Sequence, residues 1–188
     1  AFFAGLGNRE RQLLLVRHPS VVGNLDGAPL ELRYRANALA LAASDDPRYR
    51  SLAAPGRQIL AFDPRGRGQV AEVFGELRTA RRVSVVVPGS DNDAGTFDRK
   101  VAAHGAPPGM ARTLHTAAGP GTAVIAWADY TAPAGLGVDA MLGGLAAEGA
   151  VRLNALVGAL PGTSTVSLFC HSYGSVVCGG GRGQGPPA

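Results

Sequence analysis

At residues 164–170 the run Ser-Thr-Val-Ser-Leu-Phe-Cys passes without a spacer into His171-Ser172-Tyr173-Gly174, and Ser-Val-Val-Cys-Gly follows at once. The first run suits a buried strand and the last suits the opening of a helix. A turn that joins strand to helix so abruptly is tight and strained, and it lifts the side chain at its apex above the sheet. Helix and strand then pack so closely that the residues two before and two after the apex must be small. Gly174 meets this requirement. Cys170 stands where a glycine is usual, adding a Cβ and a sulfur but staying small. The junction places Ser172 at the apex as a candidate nucleophile, with Cys170, His171 and Gly174 supporting the turn.

The rest of the chain supplies a sheet for such a junction. Arg57–Asp63 and residues 69–74 are strand candidates joined by Pro-Arg-Gly-Arg-Gly, short enough for an antiparallel hairpin. Residues 82–87 and 122–128 are nearly continuous apolar runs, as in strands buried on both faces. A helical stretch interrupted by Gly-Ala-Pro-Pro-Gly leads to His115, and an Ala-rich helix is expected over 138–160. The order β-β-β-α-β-α-β predicts an α/β fold with a mostly parallel sheet between helices. Ahead of it, residues 1–56 form a helical preface. Asn8 caps a first helix that His18-Pro19 ends, residues 24–29 turn, and a second helix puts Leu32, Ala36 and Leu39 on a stripe opposite Arg33 and Arg35. Residues 57–178 make the α/β unit, and 179–188 are a low-complexity tail.

Composition narrows the function. With 188 residues, 46% hydrophobic and 17% charged, the chain is built as one globular domain. Its net charge of +4 comes from arginines, Lys100 being the only lysine, and they are scattered rather than clustered with aromatics. That argues against a nucleic-acid surface, and the Arg-Gly-Arg-Gly of the hairpin is read as a plain turn. Cys170 and Cys178 are expected as buried free thiols, without the His or carboxylate neighbours of a metal site. No run reaches the length of a membrane span, and no signal peptide is evident, which favours the cytoplasm.

"CHSYGSVVCG", with "VVVPGSDNDAGTFDR" and "AVIAWADYTAPAGLG" before it, resembles a bacterial family of α/β-hydrolases of unassigned substrate, typified by a Gly-His-Ser-Tyr-Gly-Ser elbow. "GNLDGAPLELRYRAN" and "LAFDPRGRGQVAEVFGEL" resemble its N-terminal half, so the likeness spans residues 1–178. The resemblance implies that the elbow follows the fifth strand, as it does here. It also implies that Ser172 attacks an acyl carbonyl, and that the oxyanion is held by the backbone N–H of Tyr173 and of Gly89 or Ser90, Pro88 having none. The implied substrate is a small ester or other acyl compound, and no cofactor is implied. Oligomeric state is left open.

The implied triad is incomplete. The acid and the histidine should follow the serine in the chain, yet the sixteen residues after Ser172 contain no Asp, Glu or His. His18, His104, His115 and His171 are poorly placed to substitute, and Asp91 and Asp129, at strand ends, are read as turn or solvated residues. The expectation is therefore an N-terminal portion of a hydrolase, inactive by itself, with an exposed sheet edge and a tendency to aggregate. The rival reading is a non-catalytic binding module that keeps the elbow as architecture.

Overall fold

The computed structural model describes residues 2–99, 105–135, 137, 143–162 and 164–180. The hairpin is present: β1 (Gln58–Asp63) and β2 (Gln69–Phe74) pair antiparallel. Its turn is closed by the Gly68 N–H donating to the Arg65 carbonyl at 3.0 Å, with Gly66 and Gly68 at the positive φ that glycine accepts without penalty. β3 (Arg82–Val87), β4 (Thr122–Ala128) and β5 (Thr165–Cys170) complete a sheet ordered β1-β2-β4-β3-β5. β3 pairs parallel with both β4 and β5, while β2 pairs antiparallel with β1 and β4, so β2 is the one reversed strand.

The chain steps outward from β3 to β4 and then back across β3 to β5. Crossovers of one hand in opposite directions put their helices on opposite faces. On one face α4 (Pro107–Ala118) brings Ala111, Met110 and Leu114 onto Phe62, Val70, Val86, Val124 and Ala126. On the other, α5 (Gly144–Ala159) brings Leu153 and Leu156 onto Val83, Val85, Ile125 and Trp127. Pro107 and Pro108, read as an interruption, instead open α4, where a missing N–H costs nothing. Of the Ala-rich helix expected over 138–160, residues 138–142 lie outside the described residues, as do 181–188 of the tail.

Three α-helices precede the sheet among the described residues: α1 (Asn8–Arg17), α2 (Pro19–Asn24) and α3 (Leu30–Ala42). Asn8 is the first helical residue rather than the cap, and the N–H of Gly7 before it donates to the Glu10 carboxylate at 2.7 Å. His18-Pro19 does end α1, but Pro19 at once opens α2. The stripe read on α3 is corrected: Leu32 and Ala36 are buried, Leu39 is exposed, and Arg33 is buried. Arg33 is stable there because its Nε donates to the Gly23 carbonyl at 3.2 Å and its Nη1 to Asp26 at 3.1 Å.

These helices cover the outer side of β1. Asn24 accepts from the Phe62 N–H at 2.9 Å and donates to the Phe62 carbonyl at 2.8 Å. Asn37 donates to the Ile59 carbonyl at 3.0 Å. Arg57, just before β1, pairs with Glu72 on β2 and with Asp98 in the segment after β3. At the opposite edge the residues of β5 read as a buried strand, while an exposed sheet edge was also expected. β5 pairs only with β3 among the described residues, and Leu168 and Phe169 are exposed. An apolar strand is buried only where neighbours cover it.

Candidate active site

Cys170 ends β5, and the ladder runs one residue further through His171 N–H to the Val87 carbonyl at 3.0 Å. Ser172 then turns to φ +54°, and α6 (Gly174–Gly180) begins two residues later. The left-handed region is unfavourable for a residue with a Cβ by about 1–2 kcal/mol. The turn is fastened by the Gly174 N–H to the His171 carbonyl at 3.0 Å and the Ser175 N–H to the Ser172 carbonyl at 2.8 Å. Gly174 has no alternative. A Cβ there would lie 2.4 Å from the Val87 carbonyl oxygen and 2.6 Å from that of Pro88, so any other residue drives α6 off the end of β3.

Cys170 and Cys178, expected as free thiols, form a disulfide across this turn. α6 folds back over the strand end and leaves the two Cα atoms 6.6 Å apart, within bridging reach. Cys at the last strand position and again eight residues on was the signal for it. The bridge encloses the whole elbow, Ser172 included.

The segment after β3 lies against the serine. A Cβ on Gly89 would sit 2.6 Å from Ser172 Cβ and 2.9 Å from its Oγ, so only glycine permits this approach. Three carbonyls of the segment are held from outside it or by its own side chain. The Tyr130 hydroxyl donates to Pro88 at 2.6 Å, and Asn92 Nδ2 donates to Gly89 at 3.1 Å and to Ser90 at 2.9 Å. With the carbonyls committed, the peptide planes are fixed. The backbone N–H groups of Gly89, Ser90 and Tyr173 donate to nothing among the described residues. Sequence reasoning passed over Tyr130 and Asn92. Tyr130 was discoverable only through the fold, since it sits 42 residues from its acceptor.

Ser172 is exposed and opens onto a cavity of about 240 Å³ shared with Gly89, Ser90, Arg99, Met110 and His171. Arg99 reaches in with Nη1 on the Asp91 carbonyl at 3.1 Å and Nη2 on Asn92 Oδ1 at 3.3 Å. Its Nε and the Ser90 hydroxyl are buried without a partner.

No base is at hand. Ser172 Oγ has no hydrogen-bond partner among the described residues, although His171 lines the same cavity. His115 lies beside Gly75 at the far end of β2, His18 lies between α1 and α2, and His104 is outside the described residues. Asp91 borders the cavity, but its carboxylate accepts from the Gly135 N–H at 2.9 Å. Asp129, at the end of β4, pairs with Arg152. Burial pushes the Asp129 carboxyl up to about 6, with the Arg152 charge and hydrogen bond pulling the other way.

A family model described as "Alpha/beta hydrolase" matches residues 63–185, from the hairpin turn through the elbow. No curated protein and no solved structure matches the chain. No helix among the described residues is long and apolar enough to cross a membrane.

Proposed function

The chain belongs to the alpha/beta-hydrolase family, and from that premise we propose that it carries the nucleophile Ser172 of a serine hydrolase acting on an ester or other small acyl compound. The reading rests on one observation: Ser172 stands at positive φ on the end of β5, in contact range of Gly89 and beside three backbone N–H groups that donate to nothing among the described residues. In the proposed reaction Ser172 Oγ adds to the acyl carbonyl. The negative charge that develops on the carbonyl oxygen falls to the N–H of Tyr173 and of Gly89 or Ser90. Collapse of the adduct breaks the bond to the leaving group, which takes a proton, and leaves an acyl-serine for water to cleave. Fixed donors of this kind are worth about 2.7–4 kcal/mol each in the transition state.

The proton transfers need a base and an orienting acid, and neither lies beside Ser172 among the described residues. With no base beside Ser172 among the described residues, the chain by itself is proposed to be hydrolytically silent. Added imidazole supplies the missing base. We expect it to elicit p-nitrophenyl acetate hydrolysis by the chain well above imidazole alone, with slow fluorophosphonate labelling at Ser172, and neither with Ser172→Ala. Rapid labelling without imidazole would show a base already in place. Identical rates for the chain and Ser172→Ala would leave the second reading, a binding module, which the unpartnered serine favours.

The disulfide supports an oxidising compartment rather than the cytoplasm that the sequence suggested.

A further inference from the structure

Two residues other than glycine stand at positive φ among the described residues, Ser172 at +54° and Asp91 at +60°, and both border the same cavity. A left-handed residue with a Cβ persists only where its surroundings over-determine it. At Asp91 they do. Its N–H donates to the Pro133 carbonyl at 3.0 Å, and its carboxylate accepts from the Gly135 N–H at 2.9 Å. Beyond this reversal the Asn92 side chain, 6% exposed, folds back onto Gly89 and Ser90.

Asn92 uses both ends of its amide. Nδ2 donates to the Gly89 carbonyl at 3.1 Å and to the Ser90 carbonyl at 2.9 Å, while Oδ1 accepts from Arg99 Nη2 at 3.3 Å. Two acceptors on one side and a guanidinium on the other fit an amide and no other side chain of this length. The segment's carboxylates are engaged elsewhere: Asp91 and Asp93 face Arg67 at 3.9 and 2.9 Å, and Asp98 pairs with Arg57. No carboxylate among the described residues pairs with Arg99.

The peptides here are trans, and a planar trans peptide points its N–H away from its carbonyl. The Gly89 carbonyl is aimed at Asn92, so the Ser90 N–H on the same peptide is aimed away from it. A hydrogen bond accepted by a carbonyl also polarises the N–H of its own peptide. For Ser90 the polarising amide is backed by a guanidinium. For Gly89 the corresponding donor is the neutral Tyr130 hydroxyl on the Pro88 carbonyl.

We propose that Asn92 and Arg99 are positioning residues for the reaction at Ser172. Asn92 aims the Ser90 N–H, Arg99 strengthens it as a donor through the Asn92 amide, and Ser90 rather than Gly89 is the second oxyanion donor. The assignment rests on the acyl-transfer reading of Ser172. Gly89 then serves by having no Cβ to press on Ser172.

Asn92→Asp keeps the size and the Arg99 contact but cannot donate to the two carbonyls. The rate to follow is imidazole-supplemented p-nitrophenyl acetate hydrolysis, less that of Ser172→Ala. Its kcat should fall about a hundredfold in Asn92→Asp and about tenfold in Arg99→Met, with KM within about twofold of the parent. Tyr130→Phe should cost less than Asn92→Asp. Backbone nitrogen-15 resonances read the same peptides in the resting chain. That of Ser90 should move most in Asn92→Asp and that of Gly89 most in Tyr130→Phe, whereas a merely structural role would move both in both. A parent chain without Ser172-dependent turnover overturns the reading of the site and this assignment with it. Turnover in the parent with undiminished kcat in Asn92→Asp, or with a larger loss in Tyr130→Phe, overturns the assignment alone. So does a Ser90 resonance indifferent to Asn92→Asp. Should Asn92→Asp not fold, Arg99→Met decides, and an unchanged kcat there overturns the assignment.

Discussion

The sheet has two edges, and the chain treats them differently. β1 and β5 are both six residues long, both apolar, and both carry a phenylalanine at the next-to-last position. Phe62 is 1% exposed and Phe169 is 47% exposed. Nothing within the strands accounts for this. β1 is covered by the preface, whose Asn24 and Asn37 occupy its outward N–H and carbonyl groups as a further strand would. β5 has no such cover among the described residues and leans on β3, the disulfide and α6. The edge that holds the candidate nucleophile is the barer one, and an uncovered apolar edge invites association.

The largest test of this contrast exchanges the two phenylalanines for alanine. Phe62→Ala should cost about 3–5 kcal/mol in a urea melt, and Phe169→Ala less than about 1 kcal/mol. Equal losses would mean that β5 is covered in solution. Opening the Cys170–Cys178 bridge comes next. Closing so short a loop is worth about 2–3 kcal/mol, so a reductant should lower the melting point and speed amide exchange in β5 while leaving β1 protected. Uniform deprotection would erase the distinction between the edges. The smallest effect has the opposite sign. Ser172→Gly should gain about 1 kcal/mol, because glycine accepts the φ that serine resists. A loss would mean that the turn is held by side-chain contacts of the serine.

The contrast also marks where sequence reasoning stops. β2, β3 and β4 fall on the residues read for them, because short apolar runs bounded by turn residues suit strands packed on both faces. The end of β5 and the need for a glycine at 174 were legible because they follow from the sterics of a few consecutive residues. The exposure of β5 is not legible in the strand's own residues, since burial belongs to the neighbours; only the expectation of an exposed sheet edge pointed to it. Arg33 was misplaced for a similar reason: its partners, Gly23 and Asp26, lie a turn away on another helix and loop, where helical periodicity does not look. The donors that pin residues 88–90 come partly from Tyr130, across the sheet, and no local pattern announces them. The disulfide was hidden by an assumption about the thiols rather than by distance, its partners being eight residues apart.

Arg57 gives the far side of the site its own tether. By gripping both Glu72 and Asp98 it moors the segment after β3 to the covered edge of the sheet, as the disulfide moors the elbow at the bare one. The two halves of the candidate oxyanion pocket hang between an ionic mooring and a covalent one. The first is written into the gene and travels with the chain. The second is completed only by the surroundings in which the chain folds, so two preparations of one sequence, made under oxidising and reducing conditions, are two different materials at Ser172.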